Sequence, residues 1–172
     1  HIERFERSIK RRGFTNLGLD GEQIVEILTQ CVRQSGLREA MVMMIATRGE
    51  PVGYGKDLRT CKNRFIAWAS PYYTVVSDEE MEHGIPIIVS KVQRIPTESV
   101  DPTVKNFGRI DFCDALMEAY EHGCSHAVLL NGHGDVTEGR GWNIFTYRDG
   151  EMVSPDDGVL EGLTRRTVIE LA

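Results

Sequence analysis

The chain has 172 residues, room for one ordinary domain or two small ones and for a buried core without disulfide or metal staples. Hydrophobic residues at 41% and charged residues at 27% speak against a disordered chain. The formal net charge of -6 argues against nucleic acid or an anionic membrane as partner, because phosphate groups are held by basic surfaces; a small anionic ligand in a local basic pocket stays open.

From His1 to Arg12, Ile2, Phe5 and Ile9 recur at helical spacing among charges, and Gly13 ends the pattern as a C-terminal glycine does. Asp20 then precedes a second helix whose stripe is Ile24, Val25, Ile27, Leu28, Cys31 and Val32, closed near Ser35 and Gly36. Met41 to Thr47 is an apolar run of strand length. Phe65 to Trp68 and Tyr72 to Val76 read as two more strands broken by Pro71. Between them, residues 48–64 carry three glycines, a proline and several basic side chains, the make-up of a surface loop that can carry specificity.

Ile85 to Gln93 reads as a long strand, and Pro96 and Pro102 rule out helix directly after it. Phe107, Ile110, Ala115, Leu116 and Ala119 mark a helix ending near Gly123. Ala127 to Leu130 and Trp142 to Tyr147 are expected strands flanking the glycine-rich NGHGDVTEGRG. Asp149-Gly150 is a strong hairpin signal leading into Glu151 to Val153. Thr164 to Leu171 closes with a helix. Strands and helices mix without strict alternation, which predicts an α+β arrangement: a small N-terminal α/β domain over 1–94 and the start of a larger strand-rich domain over 95–172.

Cys31, Cys61, Cys113 and Cys124 form no CxxC pair, the usage of reduced thiols in a cytoplasmic protein, and Cys113 and Cys124 read as small buried hydrophobes. No apolar run approaches the roughly 20 residues needed to cross a bilayer. His83, His122, His126 and His133 lack ligand spacing, so no metal site is expected. The first residue lies inside an amphipathic stretch and Ala172 inside an expected helix, so the chain reads as a fragment cut at both ends.

Three segments carry chemistry: DPTVKN (101–106), VTEGRGWNIF (136–145) and LEGLTRRTVIELA (160–172). Lys105 follows an apolar valine between strand-breaking prolines and a helix, a position that could point inward, where a lysine is partly desolvated and its neutral amine accessible. Lys91, within a strand, is its rival. Together with HIERF (1–5), and with a carboxylate 33 positions after the lysine, the ordered set resembles class IV (fold-type IV) pyridoxal-phosphate-dependent aminotransferases of the branched-chain, D-amino-acid and (R)-amine type, along the whole chain.

That resemblance implies a strand-rich pseudo-barrel second domain, pyridoxal 5'-phosphate as cofactor, and amino transfer between an amine or amino acid and a 2-oxo acid. It implies that Lys105 forms the Schiff base with the cofactor aldehyde, Glu138 meets the ring nitrogen, Leu163 and Thr164 hold the phosphate at a helix N-terminus, and Arg4 pairs with that phosphate. It also implies a homodimer. Flanking Gly139 and Gly141 would let backbone approach a flat ring. The pattern departs from amine transaminases at Arg109, where tryptophan is usual, and Tyr54 stands where some keep a carboxylate-binding arginine. Lys56, Arg59 or Arg64 could replace that arginine, so Tyr54, Arg59 and Arg109 are candidate substrate contacts. Two other readings stay open: a lyase of the same fold, of the aminodeoxychorismate type, and a non-catalytic binding module or inactive fragment.

Overall fold

The structure is a computed structural model that describes residues 1–55 and 57–172, which leaves Lys56 outside the described residues. It forms two compact units, His1–Val75 and Val76–Ala172.

In the first unit, α1 (Ile2–Arg11) precedes α2 (Gly21–Ser35). Asp20 starts α2 by a capping box with Gln23, and Gly36 ends it at φ 68°, a conformation that favours glycine. Strands β1 (Ala40–Thr47) and β2 (Arg64–Pro71) form an antiparallel pair with Met43 opposite Trp68 and Ile45 opposite Ile66. α2 packs on both strands, and Ile24 is fully buried. Phe5 of α1 meets Phe65 of β2 edge-on, ring centroids 5.8 Å apart.

The connection between the strands is tied down. The Arg48 guanidinium donates to the Arg12 and Gly13 carbonyls, and Asn16 and Asn63 bridge the loop's return. Pro71 ends β2 and does not interrupt it, facing Ala40 at the strand terminus where a missing N–H costs nothing. Residues 72–76 are not a strand: after the Tyr72 amide bonds to Glu39 the chain leaves the ladder.

The second unit opens with α3 (Asp78–His83), started by a Ser77–Glu80 capping box that the hydrophobic pattern does not reveal. Strand β3 (Ile87–Gln93) pairs in parallel with β4 (His126–Leu130), and α4 (Ile110–Glu121) makes the crossover. β5 (Val136–Gly139) and β6 (Trp142–Asn143) extend the sheet in the order β3-β4-β5-β6. One face is covered by α4, whose Phe112, Ala115 and Ala119 form a core with Ala127 and Leu129 of β4. The Ser90 hydroxyl donates to Glu118 at 2.5 Å and the Lys91 amide donates to the same oxygen at 2.9 Å, clipping β3 to α4.

β7 (Thr146–Arg148) and β8 (Glu151–Val153) form a hairpin turned by Asp149 (φ 53°) and Gly150 (φ 86°), as an Asp-Gly pair does in a two-residue turn. α5 (Leu163–Leu171) follows. The architecture is the expected α+β mixture. The units divide at Val75/Val76, earlier than the 1–94 and 95–172 division read from the sequence, because β3 pairs with β4 and so belongs to the later unit. Cys113 corrects the sequence reading: it is exposed, Cys124 is half-buried, and Cys61 is the buried thiol.

Candidate active site

Glu138 is placed by a short strand whose neighbours leave it one orientation. Thr137, fully buried, donates its hydroxyl to the Leu129 carbonyl at 2.7 Å. Gly139 is required because a Cβ there would stand 2.1 Å from the Trp142 ring and 2.8 Å from the Ala127 oxygen. The glycine therefore makes room for an indole. Gly141 turns the chain between β5 and β6 at φ 93°, so both glycines have local reasons beyond the ring approach expected from the sequence.

The Glu138 carboxylate is 6% exposed. It accepts from the Leu160 amide at 2.9 Å, the Asn143 side-chain amide at 3.1 Å and Arg94 Nη2 at 3.3 Å. Burial pushes its pKa up, while the Leu160 amide and the Arg94 charge pull it partly back.

Arg94, just past β3, is given no role by the sequence reading. Its side chain is 10% exposed and bridges two carboxylates, Glu138 and Asp111, the latter at 2.5 Å. Its guanidinium carbon lies 4.3 Å from the Phe112 ring centroid, while its Nε is buried with no partner. The signal that could have exposed it is a basic residue closing an apolar strand, which demands acids if it is buried. Those acids lie 17 and 44 positions away, beyond local pattern reading.

Lys105 stands in a constrained loop. Asp101 accepts from the Thr103 amide and hydroxyl, and Asn106 bonds the Val104 carbonyl on one side and the Gly108 amide on the other. Val104, 3% exposed, is the residue that turns inward; Lys105 is exposed. The expected inward-pointing lysine is thus anchored by its neighbour and faces an open cleft. Arg94, Lys105, Arg109, Phe112, Glu138 and Leu160 all line that cleft. Lys91, the rival, is exposed on β3 with its amide committed to Glu118. A broader open hollow of the first unit, beside Ile2, Asp20, Gly21, Glu22 and Val25, offers no amine.

Arg109 precedes α4 and is half-buried, with its guanidinium carbon 5.3 Å from the Phe112 centroid. Among the described residues it has no carboxylate within ion-pair distance. Leu163 and Thr164 open α5, where Gly162 provides no side-chain cap and the first turn holds no acid, leaving donors and a dipole suited to an anion. This helix end is joined to Glu138. Asn143 donates to both Glu138 and the Leu160 carbonyl, each at 3.1 Å, and a Cβ on Gly162 would meet Asn143 Oδ1 at 2.1 Å. The second unit thus brings together Lys105, Glu138 and Arg109 on one cleft, while Asn143 ties Glu138 to Leu160, three residues before Leu163 opens α5.

The remaining candidates stand in the first unit. Arg4 is half-buried in α1, and its carbonyl accepts from the Ser8 hydroxyl. Tyr54 is fully exposed. Arg59 is exposed and pairs with Asp57 at 2.7 Å. Among the described residues, no group of three or more His, Cys, Asp or Glu side chains could hold a metal ion, and no helix is long and apolar enough to cross a membrane.

The family model for class IV amino-transferases matches residues 1–172. A Methanocaldococcus jannaschii protein provisionally named a branched-chain-amino-acid aminotransferase is 32% identical over all of this chain and 59% of its own length. A branched-chain aminotransferase structure from Thermoproteus uzoniensis, with norvaline, is 30% identical with a TM-score of 0.89 over all of this chain and 57% of that one. The branched-chain amino acid aminotransferase of Thermobaculum terrenum, in its PLP-form, is 25% identical with a TM-score of 0.85, over all of this chain and 56% of that one. The chain therefore spans somewhat over half the length of the proteins it resembles.

Proposed function

The chain belongs to the class IV aminotransferase family, and from that premise we propose that the protein of which it forms part moves an amino group between an amino acid or amine and a 2-oxo acid, using pyridoxal 5'-phosphate. The observation that carries the proposal is the cleft shared by Lys105 and the buried Glu138 carboxylate. The residues present fit the cofactor: an amine, a buried carboxyl group, and an uncapped helix N-terminus that follows closely on Leu160, which both Glu138 and Asn143 hold.

When bound, the cofactor supplies an aldehyde that takes up an amine and a ring that withdraws electrons from it. Lys105 supplies the resident amine and afterwards moves a proton to and from the substrate carbon as general base and acid. Glu138, whose charge is disfavoured by burial and favoured by the Leu160 amide and the Arg94 guanidinium, would hold a proton on the ring nitrogen. The amides of Leu163 and Thr164, with the threonine hydroxyl, would bind the phosphate, and Arg109, which lines the cleft with Lys105 and Glu138, is a proposed substrate contact. We further propose a homodimer working in the cytoplasm, in keeping with scattered free cysteines.

Arg109 supports a second reading: a half-buried cation that, among the described residues, has no carboxylate within ion-pair distance suits a polyanionic substrate, as a lyase of this fold would take. One assay separates the two. Full-length protein supplied with cofactor and a branched-chain amino acid should form a new amino acid only when a 2-oxo acid acceptor is added. Pyruvate released from an aminodeoxychorismate-type substrate without acceptor would move the assignment to the lyase.

A further inference from the structure

Glu138 shares Arg94 with a second buried acid that none of the roles above uses. Asp111, 4% exposed, lies in the first turn of α4, where a negative charge is favoured by the helix end. Its Oδ2 accepts from Arg94 Nη1 at 2.5 Å and from the Ile95 amide at 3.1 Å. The other arm of Arg94 reaches Glu138 at the longer distance of 3.3 Å.

The charge count decides what this means. Arg94 with Glu138 alone would be a neutral buried pair, its acid already satisfied by a guanidinium. Adding Asp111 sets two acids against the one guanidinium of Arg94, so these three groups keep one negative charge, on which Arg109 also acts from across the cleft. The distances tell where it remains: Arg94 is drawn to Asp111, and Glu138 is left the more weakly paired acid, in the cleft it shares with Lys105.

We propose that Asp111 is a positioning residue that engages Arg94 and so leaves the negative charge of Glu138 free to hold a proton on the cofactor's ring nitrogen. This rests on the cofactor reading above. Without Asp111, Arg94 would turn its whole charge on Glu138, and the ring proton would be held less firmly.

The test uses full-length protein loaded with pyridoxal 5'-phosphate, comparing Asp111→Asn, Asp111→Glu and Glu138→Gln. Three quantities are read: cofactor dissociation constant, the pH at which the ring nitrogen releases its proton (by nitrogen NMR of labelled cofactor), and kcat against KM. Asp111→Asn should still bind cofactor, release the ring proton about one pH unit lower and turn over about tenfold more slowly, with KM for the 2-oxo acid little changed. Asp111→Glu, which keeps the charge, should restore both. An unshifted release pH in Asp111→Asn, or an equal loss in Asp111→Glu, overturns the proposal. Should Asp111→Asn not fold, Asp111→Ser, which suits a helix start and also lacks the charge, is read by the same criteria. Full activity of Glu138→Gln would instead remove the cofactor reading itself, so the two failures are distinct.

Discussion

Glu138 sits where water is nearly excluded, so burial disfavours its charge while the Leu160 amide and the Arg94 and Arg109 charges favour it. Its raised pKa means that, just above the ordinary value of 4.5, the folded chain binds more protons than the unfolded one. Stability from this group therefore falls as pH rises from 4.5 through the raised value. Glu138→Gln removes that penalty, so its denaturation midpoint should fall less than the parent's across the same window; identical pH profiles would count against a buried, ionising Glu138. In the full-length enzyme the same substitution should leave cofactor bound and lower kcat by about 10²–10³-fold, the loss typical of one charge-stabilising group. Lys105 and Glu138 stand out in the sequence because motif order carries them, and both line one cleft. Arg94 and Asp111 do not stand out, since their meaning arises only when α4 and β5 bring acids from 17 and 44 positions away onto one guanidinium.

Among the elements, α1, α2, β1, β3, α4, β4, the β7–β8 hairpin and α5 follow periodicity and caps that the sequence displays. β5 was hidden in a glycine-rich stretch because Gly139 answers to the Trp142 ring and not to a turn. Gly139→Ala should accordingly drive the indole outward, lowering the melting temperature and shifting tryptophan fluorescence to the red; an unchanged spectrum would contradict the packing. Tyr72 to Val76 has strand composition yet no partner strand, and the Ser77–Glu80 box starts a helix instead. The core between α4 and β4 bears the energetic weight of the second unit. Leu129, fully buried, should cost about 2–5 kcal/mol on replacement by alanine, measured by urea unfolding.

At the scale of the molecule, the two units come from one chain that is shorter than the relatives it matches, 59% of the length of the Methanocaldococcus jannaschii protein. In the first unit Ile66 and Trp68, two residues apart on β2, are 46% and 41% exposed, an apolar face of the kind that subunit association covers. Sedimentation of the full-length protein at micromolar concentration should show a dimer; a monomer alone would count against the homodimer. Whether Lys105 is the amine the cofactor bonds to is read out by borohydride reduction of the cofactor-loaded, full-length protein followed by peptide mapping. The phosphopyridoxyl mark should fall on the peptide containing Lys105 and vanish in Lys105→Ala together with turnover, whereas a mark on Lys91, with Lys105→Ala still active, would contradict that assignment.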